Sequence, residues 1–174
     1  MQSTKSSKSG KPLRAAAVDA ISLLKADHRE VERWFDEIQA VRSLERKQGI
    51  ALQICHALQV RSTIEEEIFY PAFLATTEER DLHHEAIIEH TSAKRLITEI
   101  EQASPGDAFY DARLKVLLEM IRHHVKEEER PSGMFALAKK SSMDLADLGR
   151  QLKHRKEELE ALATGQRVRQ DAAA

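Results

Sequence analysis

His124 and Glu128 stand four residues apart in "RHHVKEEE" (122–129). On a helix that spacing stacks an imidazole and a carboxylate about 6 Å apart on one face, where both can converge on a cation. His123 and Glu127 share the spacing. The register favours the first pair, because Leu117 and Ile121 lead into His124 and Glu128, while His123 lies about 100° round the helix. Other apolar stripes are interrupted in the same way. His28 falls among Ile21, Leu24, Val31, Phe35 and Ile38, and His90 among Ala86, Ala93, Ile97 and Ile100. Glu65 follows Ile50, Ile54, Leu58 and Ile64, with Arg61 one turn before it. A lone histidine on an apolar face is ordinarily a hydrogen-bonded core residue. Five ligand-type residues on four segments point instead to a metal site. Burying two carboxylates without counter-charge costs on the order of several kcal/mol each, and mixed histidine and carboxylate ligands suit iron, manganese or zinc.

Other chemistries lack their residues. No histidine has a glutamate three places before it, and HExxH, CxxC, a Gly-rich phosphate loop and a nucleophile elbow are absent. His56 is expected at the surface, and His83 sits too far along its helix from His90 to share an ion. Glu85 or His84 would reach the site only as an added ligand. Tyr70 and Trp34 read as packing residues, with Tyr70 able to hydrogen-bond a ligand from behind.

Five helical segments are needed to position these residues: 15–43, 47–75, 79–102, 108–129 and 143–163. The first four follow 3/4 apolar spacing. "SPGD" (104–107) and "RPSG" (130–133) break the pattern, and Pro71 kinks or ends the second segment. Long helices with short connections predict an all-α, up-and-down four-helix bundle, with an additional C-terminal helix across one end or along one side. The bundle domain is expected over 15–163. The polar, basic residues 1–14 and the residues 164–174 read as disordered tails.

The chain has 174 residues, enough for one domain with a true core. Lysine plus arginine is 27 against 29 acidic residues, a formal net charge of −2, which gives no footprint for nucleic acid or an anionic membrane. No apolar run reaches the length of a membrane span. The single cysteine, Cys55, fits a reducing cytoplasm.

"LLKADHREVERWF", "ICHALQVRSTIEEEIFYPAF", "HHEAIIEHTSAKRLI" and "IRHHVKEEERPSGMFALAKK" resemble, in order, the segments of hemerythrin-like, or HHE cation-binding, domains. The resemblance covers about residues 18–163. It implies a bundle holding two non-haem irons, with His28 serving one iron, His90 and His124 the other, and Glu65 and Glu128 bridging. Arg61 departs from the pattern: it stands where the family places the histidine of His-x-x-x-Glu, and a guanidinium is not a metal ligand.

The resemblance implies a protein that meets dioxygen, peroxide or nitric oxide, in sensing, iron handling or detoxification. Arg61 argues against reversible dioxygen carriage and leaves peroxide decomposition as a possible activity. The competing reading is a bundle with a degenerate or single-metal site that works as a protein-interaction module. There Arg61 pairs with Glu65 and Glu128, leaving one negative charge for a protonated histidine or a divalent ion to balance.

Overall fold

The computed structural model describes residues 18–171, with side chains described to residue 165. The described residues fold as seven α-helices and one π-helical turn, with no strand among them. They are α1 (Ala20–Ala40), α2 (Leu44–Ile64), the π turn (Glu65–Phe69), α3 (Tyr70–Thr77), α4 (Arg80–Gln102), α5 (Tyr110–Glu129), α6 (Met134–Lys140) and α7 (Leu145–Asp171). The bundle consists of α1, α2 with its continuation into α3, α4 and α5. None of the helices is long and apolar enough to cross a membrane.

Local chemistry sets the boundaries. The Asp19 side chain accepts from the Ser22 N–H and opens α1. The Ser43 hydroxyl accepts from Arg46 N–H and opens α2 at Leu44. Ser43 therefore caps the second helix and does not close the first, as the 15–43 reading has it. Residues 15–17 and the expected tail 1–14 lie outside the described residues.

Pro71 does not end its helix. Lacking an N–H and crowding the Glu67 carbonyl, it loosens the turn before it. The helix widens there, and the Tyr70 N–H donates to the Glu65 carbonyl five residues back. Beyond the turn α3 runs to Thr77, where Glu78 closes it at φ 60°.

Two further differences lie toward the C-terminus. The short α6 escapes the sequence pattern because its seven residues fall below a readable period. It buries Met134, Phe135 and Ala138. Gly133 precedes it because a Cβ there would stand 2.1 Å from the Glu127 carbonyl oxygen. The expected tail from 164 is instead the last part of α7, which is helical to Asp171, with 172–174 outside the described residues. That helix lies along the side of the bundle against α1, α2 and the π turn, burying Leu148 and Leu152.

The core has two apolar clusters. One holds Val31, Phe35, Leu58, Ala93, Ile97, Leu117 and Ile121. The other holds Ile21, Leu24, Ile64, Phe69, Tyr70, Phe73, Ala86 and Phe135. Along α1 and α4 the ligand-type residues fall at the junction: His28 between Leu24 and Val31, and His90 between Ala86 and Ala93. The bundle carries a buried polar layer between two apolar ones.

Candidate metal centre

The polar layer contains His28, Arg61, Glu65, His90, His124 and Glu128, all buried. Glu65 is 0% exposed and Arg61 2%. Two sets of ligand atoms converge: Glu65 with His90 and His124, and Glu65 with His28 and Glu128, every atom of a set within 4.8 Å of the others. The structure thus brings together all five ligand residues expected from the sequence.

Each histidine is oriented from behind. Nδ1 of His28 donates to Glu129 Oε1 (2.8 Å), that of His90 to Glu66 Oε1 (2.9 Å), and that of His124 to Glu89 Oε2 (2.7 Å). An ionised carboxylate only accepts, so each Nδ1 carries a proton and each neutral ring turns an Nε2 lone pair inward. Lys94 holds Glu66, and Lys25 and Arg29 hold Glu129. Glu66, Glu89 and Glu129 were missed in the sequence. The available signal was adjacency, since each immediately follows or precedes an inner residue: Glu66 follows Glu65, Glu89 precedes His90, and Glu129 follows Glu128.

The inner atoms are close without being satisfied. His28 Nε2 and His124 Nε2 each lie 3.4 Å from Glu128 Oε2, and His90 Nε2 lies 3.4 Å from Glu65 Oε2. His28 Nε2, both Glu65 carboxylate oxygens and Glu128 Oε2 have no hydrogen-bond partner. Buried carboxylate oxygens and imidazole lone pairs facing one another have one economical resolution, a cation among them. The donor set therefore fits a metal ion, most completely around Glu65, His90 and His124.

Without metal, protons take that role. Burial pulls the His90 imidazole down, but the facing Glu65 carboxylate and the hydrogen bond to Glu66 outweigh it and raise it to about 9. Burial pushes the Glu128 carboxyl up, and the charges of His124, His28 and Arg61 together hold it well below the usual carboxylate range. Glu66, hydrogen-bonded by His90 against its partial burial, falls to about 2.

Arg61 lies in this layer and does not reach solvent. Its Nε stands 3.5 Å from Glu65 Oε2, too long for a hydrogen bond, and Nε and Nη1 have no partner. Of the pairing that the interaction-module reading gives Arg61, only this 3.5 Å contact with Glu65 is made, through Nε. A fixed positive charge thus stands beside Glu65 and acts on both His28 and His90.

The remaining candidates separate clearly. His123 is turned outward and contacts Glu89 Oε1 at 3.3 Å, as the register requires. His84 and Glu85 are exposed and join neither buried set, so neither adds a ligand there. Glu85 instead lines a narrow cleft of about 20 Å3 that reaches inward to His124 and Glu128. His56 is half-buried rather than at the surface. Tyr70, read as a packing residue with a possible supporting role, has its hydroxyl inside the layer, donating to Glu128 Oε1 at 3.0 Å. Phe135 on α6 stacks on the His28 ring with centroids 5.6 Å apart.

Comparison with known proteins agrees with this geometry. The profile of the Hemerythrin HHE cation binding domain matches residues 19–138. A DNA nickase of Nostoc sp. is 30% identical over 114 residues, 66% of this chain; the chain spans 32% of that protein's length. The crystal structure of a Hemerythrin HHE cation binding domain-containing protein from Mycobacterium kansasii superposes with a TM-score of 0.71 at 21% identity, covering 84% of this chain and 90% of that one. At that identity the likeness establishes the fold.

Proposed function

We propose that this chain, which belongs to the hemerythrin HHE cation-binding domain family, is a non-haem iron protein of a reducing compartment such as the cytoplasm, and that it decomposes peroxide. One observation carries the reading: three imidazole Nε2 atoms, each fixed by a carboxylate behind it, face two buried glutamates whose inner oxygens lack partners. Histidine nitrogen and carboxylate oxygen together suit iron, with manganese and zinc as competitors. Bound iron would supply a redox-active centre with an open coordination position.

The chain's own residues define the rest. Glu65 lies in both ligand sets, so it is the group that can join two ions. Arg61 offers two unpartnered N–H donors and a fixed charge to a small anionic ligand. Such donors stabilise developing negative charge on oxygen where water is excluded, and this favours turnover of peroxide over reversible carriage of dioxygen. The cleft beside Glu85 and Glu89 gives a peroxide-sized molecule a way in. The nickase's name brings no nucleic-acid chemistry here. The net charge of −2 argues against the broadly positive surface that phosphate binding uses.

The test measures metal content of the purified chain and peroxide loss after iron loading. Iron-loaded protein should consume peroxide, and Arg61→Met should slow it about a hundredfold while keeping its iron. Iron-loaded protein that leaves peroxide intact but changes spectrum with nitric oxide or dioxygen would replace turnover by sensing. Failure to take up any metal would favour the interaction-module reading, with Arg61 and Glu65 as an internal ion pair.

A further inference from the structure

We infer that Glu85, Glu89 and His123 form an outer metal site, which captures a divalent cation at the surface and passes it inward to the buried centre; the inference rests on the iron reading above. Glu85 and Glu89 stand one turn apart on α4, and His123 stands on the neighbouring α5. One ligand atom from each lies within 4.8 Å of the other two. His123 Nε2 and Glu89 Oε1 are 3.3 Å apart. Two donors held at about 2.0–2.1 Å from one ion are separated by about 2.8–3.4 Å, so this pair already has the spacing of adjacent ligands. Glu85 and His123 are exposed, which leaves the other positions of the ion to water.

Ordinary surface ion pairing does not account for the cluster. Three carboxylates stand behind the inner histidines, and two of them are held by cations: Glu66 by Lys94, and Glu129 by Lys25 and Arg29. The third, Glu89, has only His123 and His124 as ion-pair partners among the described residues, with no lysine or arginine. Like charges one helical turn apart repel, as the Glu85 and Glu89 carboxylates do. The imidazole nearest them at the surface, His123, is in its neutral form a common metal ligand. Glu89 can serve both levels at once. Its Oε2 stays with His124 Nδ1 at 2.7 Å, and its Oε1 is the oxygen that meets His123.

A second observation lies beneath the cluster. Glu85 and Glu89 line the narrow cleft that reaches His124 and Glu128, with Glu127 on its wall. Glu128 is 3% exposed, and its Oε2 has no hydrogen-bond partner. An unpaired carboxylate oxygen at the inner end of an acid-lined cleft draws a cation along it. The cleft holds about 20 Å3, room for about one water-sized particle. A fully hydrated ion does not fit. The ion must exchange most of its waters for protein ligands before it enters, and the outer set supplies those ligands at the mouth.

The experiment mixes the metal-free full chain with a ferrous salt under anaerobic conditions. At set times an excess of ferrous chelator removes exposed iron, and the iron retained in the protein is counted. The double variant Glu85→Gln/His123→Ala should fill about tenfold more slowly than wild type. It should reach the same final iron content, with far-ultraviolet circular dichroism unchanged. Before chelator is added, wild type should bind one iron more than it retains, and the double variant should lack that iron. Glu99→Gln, which removes a charge about 15 Å farther along α4, should load at the wild-type rate. A double variant that loads as fast as wild type, or a wild type without the extra iron, overturns the inference and leaves the iron reading standing. So does equal slowing by Glu99→Gln, which would assign the effect to overall charge. Wild type that retains no iron overturns both.

Discussion

The two sides of the polar layer are built to different standards. On one side, His90, His124 and the Tyr70 hydroxyl crowd together beside Glu65, and both imidazoles are backed by carboxylates. On the other, His28 is backed equally well by Glu129, but the Arg61 charge acts on it more strongly than on His90. The first side presents lone pairs to an ion. The second presents one lone pair, shared carboxylates and a positive charge. Two unit charges of like sign a few ångströms apart repel strongly wherever water is excluded. If metal binds as proposed, the layer would rank its two positions: a stronger site at His90 and His124, and a weaker one at His28.

The largest expected effect tests that ranking directly. His124→Ala and His90→Ala should each remove most of the bound metal, whereas His28→Ala should leave the strong site occupied, as should His123→Ala. Metal content per chain after dialysis reads the difference. Loss of all metal in His28→Ala would show that the two sides act as one unit. Next comes Arg61→His, which exchanges the charge for a ligand. It should raise bound metal toward two ions per chain and add oxo-bridge absorption in the iron form. If wild type already holds two ions equally tightly, the contrast between the sides disappears.

A smaller effect is expected from Glu89→Gln and Glu66→Gln. Each weakens the strong site by loosening an imidazole, by about 10–100-fold in affinity. Competition with a chelator of known strength measures it. Glu129→Gln should act only on the weak side.

The effect on stability is of comparable size. A ligand that binds only the folded state adds about 2.7 kcal/mol at a hundredfold excess over its dissociation constant, so stripped protein should melt at lower temperature. The stripped protein should also respond to pH. His90, raised from 6.5 to about 9 in the fold, contributes stability fully below pH 6.5, and that contribution is lost as pH rises through 9. Metal binding displaces the same proton, so affinity should rise over the same interval. Melting curves and metal titrations across that range should move in opposite directions.

The inner candidate residues were legible in the sequence because burial on a straight helix follows a fixed period. His28, His90, His124 and Glu128 each continue a stripe that the structure buries without exception. Glu65 was legible because it is the last residue before the period changes. Past it an unbroken 3/4 spacing from Ile64 and Glu65 would bury Ile68, which is only partly buried, while Phe69 and Tyr70 turn fully inward. That shift is a backbone event, and no residue type encodes it except indirectly through Pro71. The outer carboxylates were hidden for another reason. Glu66, Glu89 and Glu129 look like ordinary solvated charges, and only the meeting of two helices makes each a partner of a histidine. Arg61 was legible as a departure but its reach was not, because a long side chain can end in solvent or in the core, and packing decides which.

The π turn can also be viewed as a one-residue insertion absorbed inside a helix. The chain before it keeps its register against α1, and the chain after it keeps α3 against α6. One surplus residue is held as a widened turn without displacing either end. Deleting a residue such as Glu67 would let the helix close up into an ordinary α-turn, with Tyr70, then four residues after Glu65, still on nearly the same face. An alignment of this chain with a relative that lacks the insertion should therefore open its gap within 65–69. Gapless counting across that segment would pair every later position of the helix with the wrong neighbour.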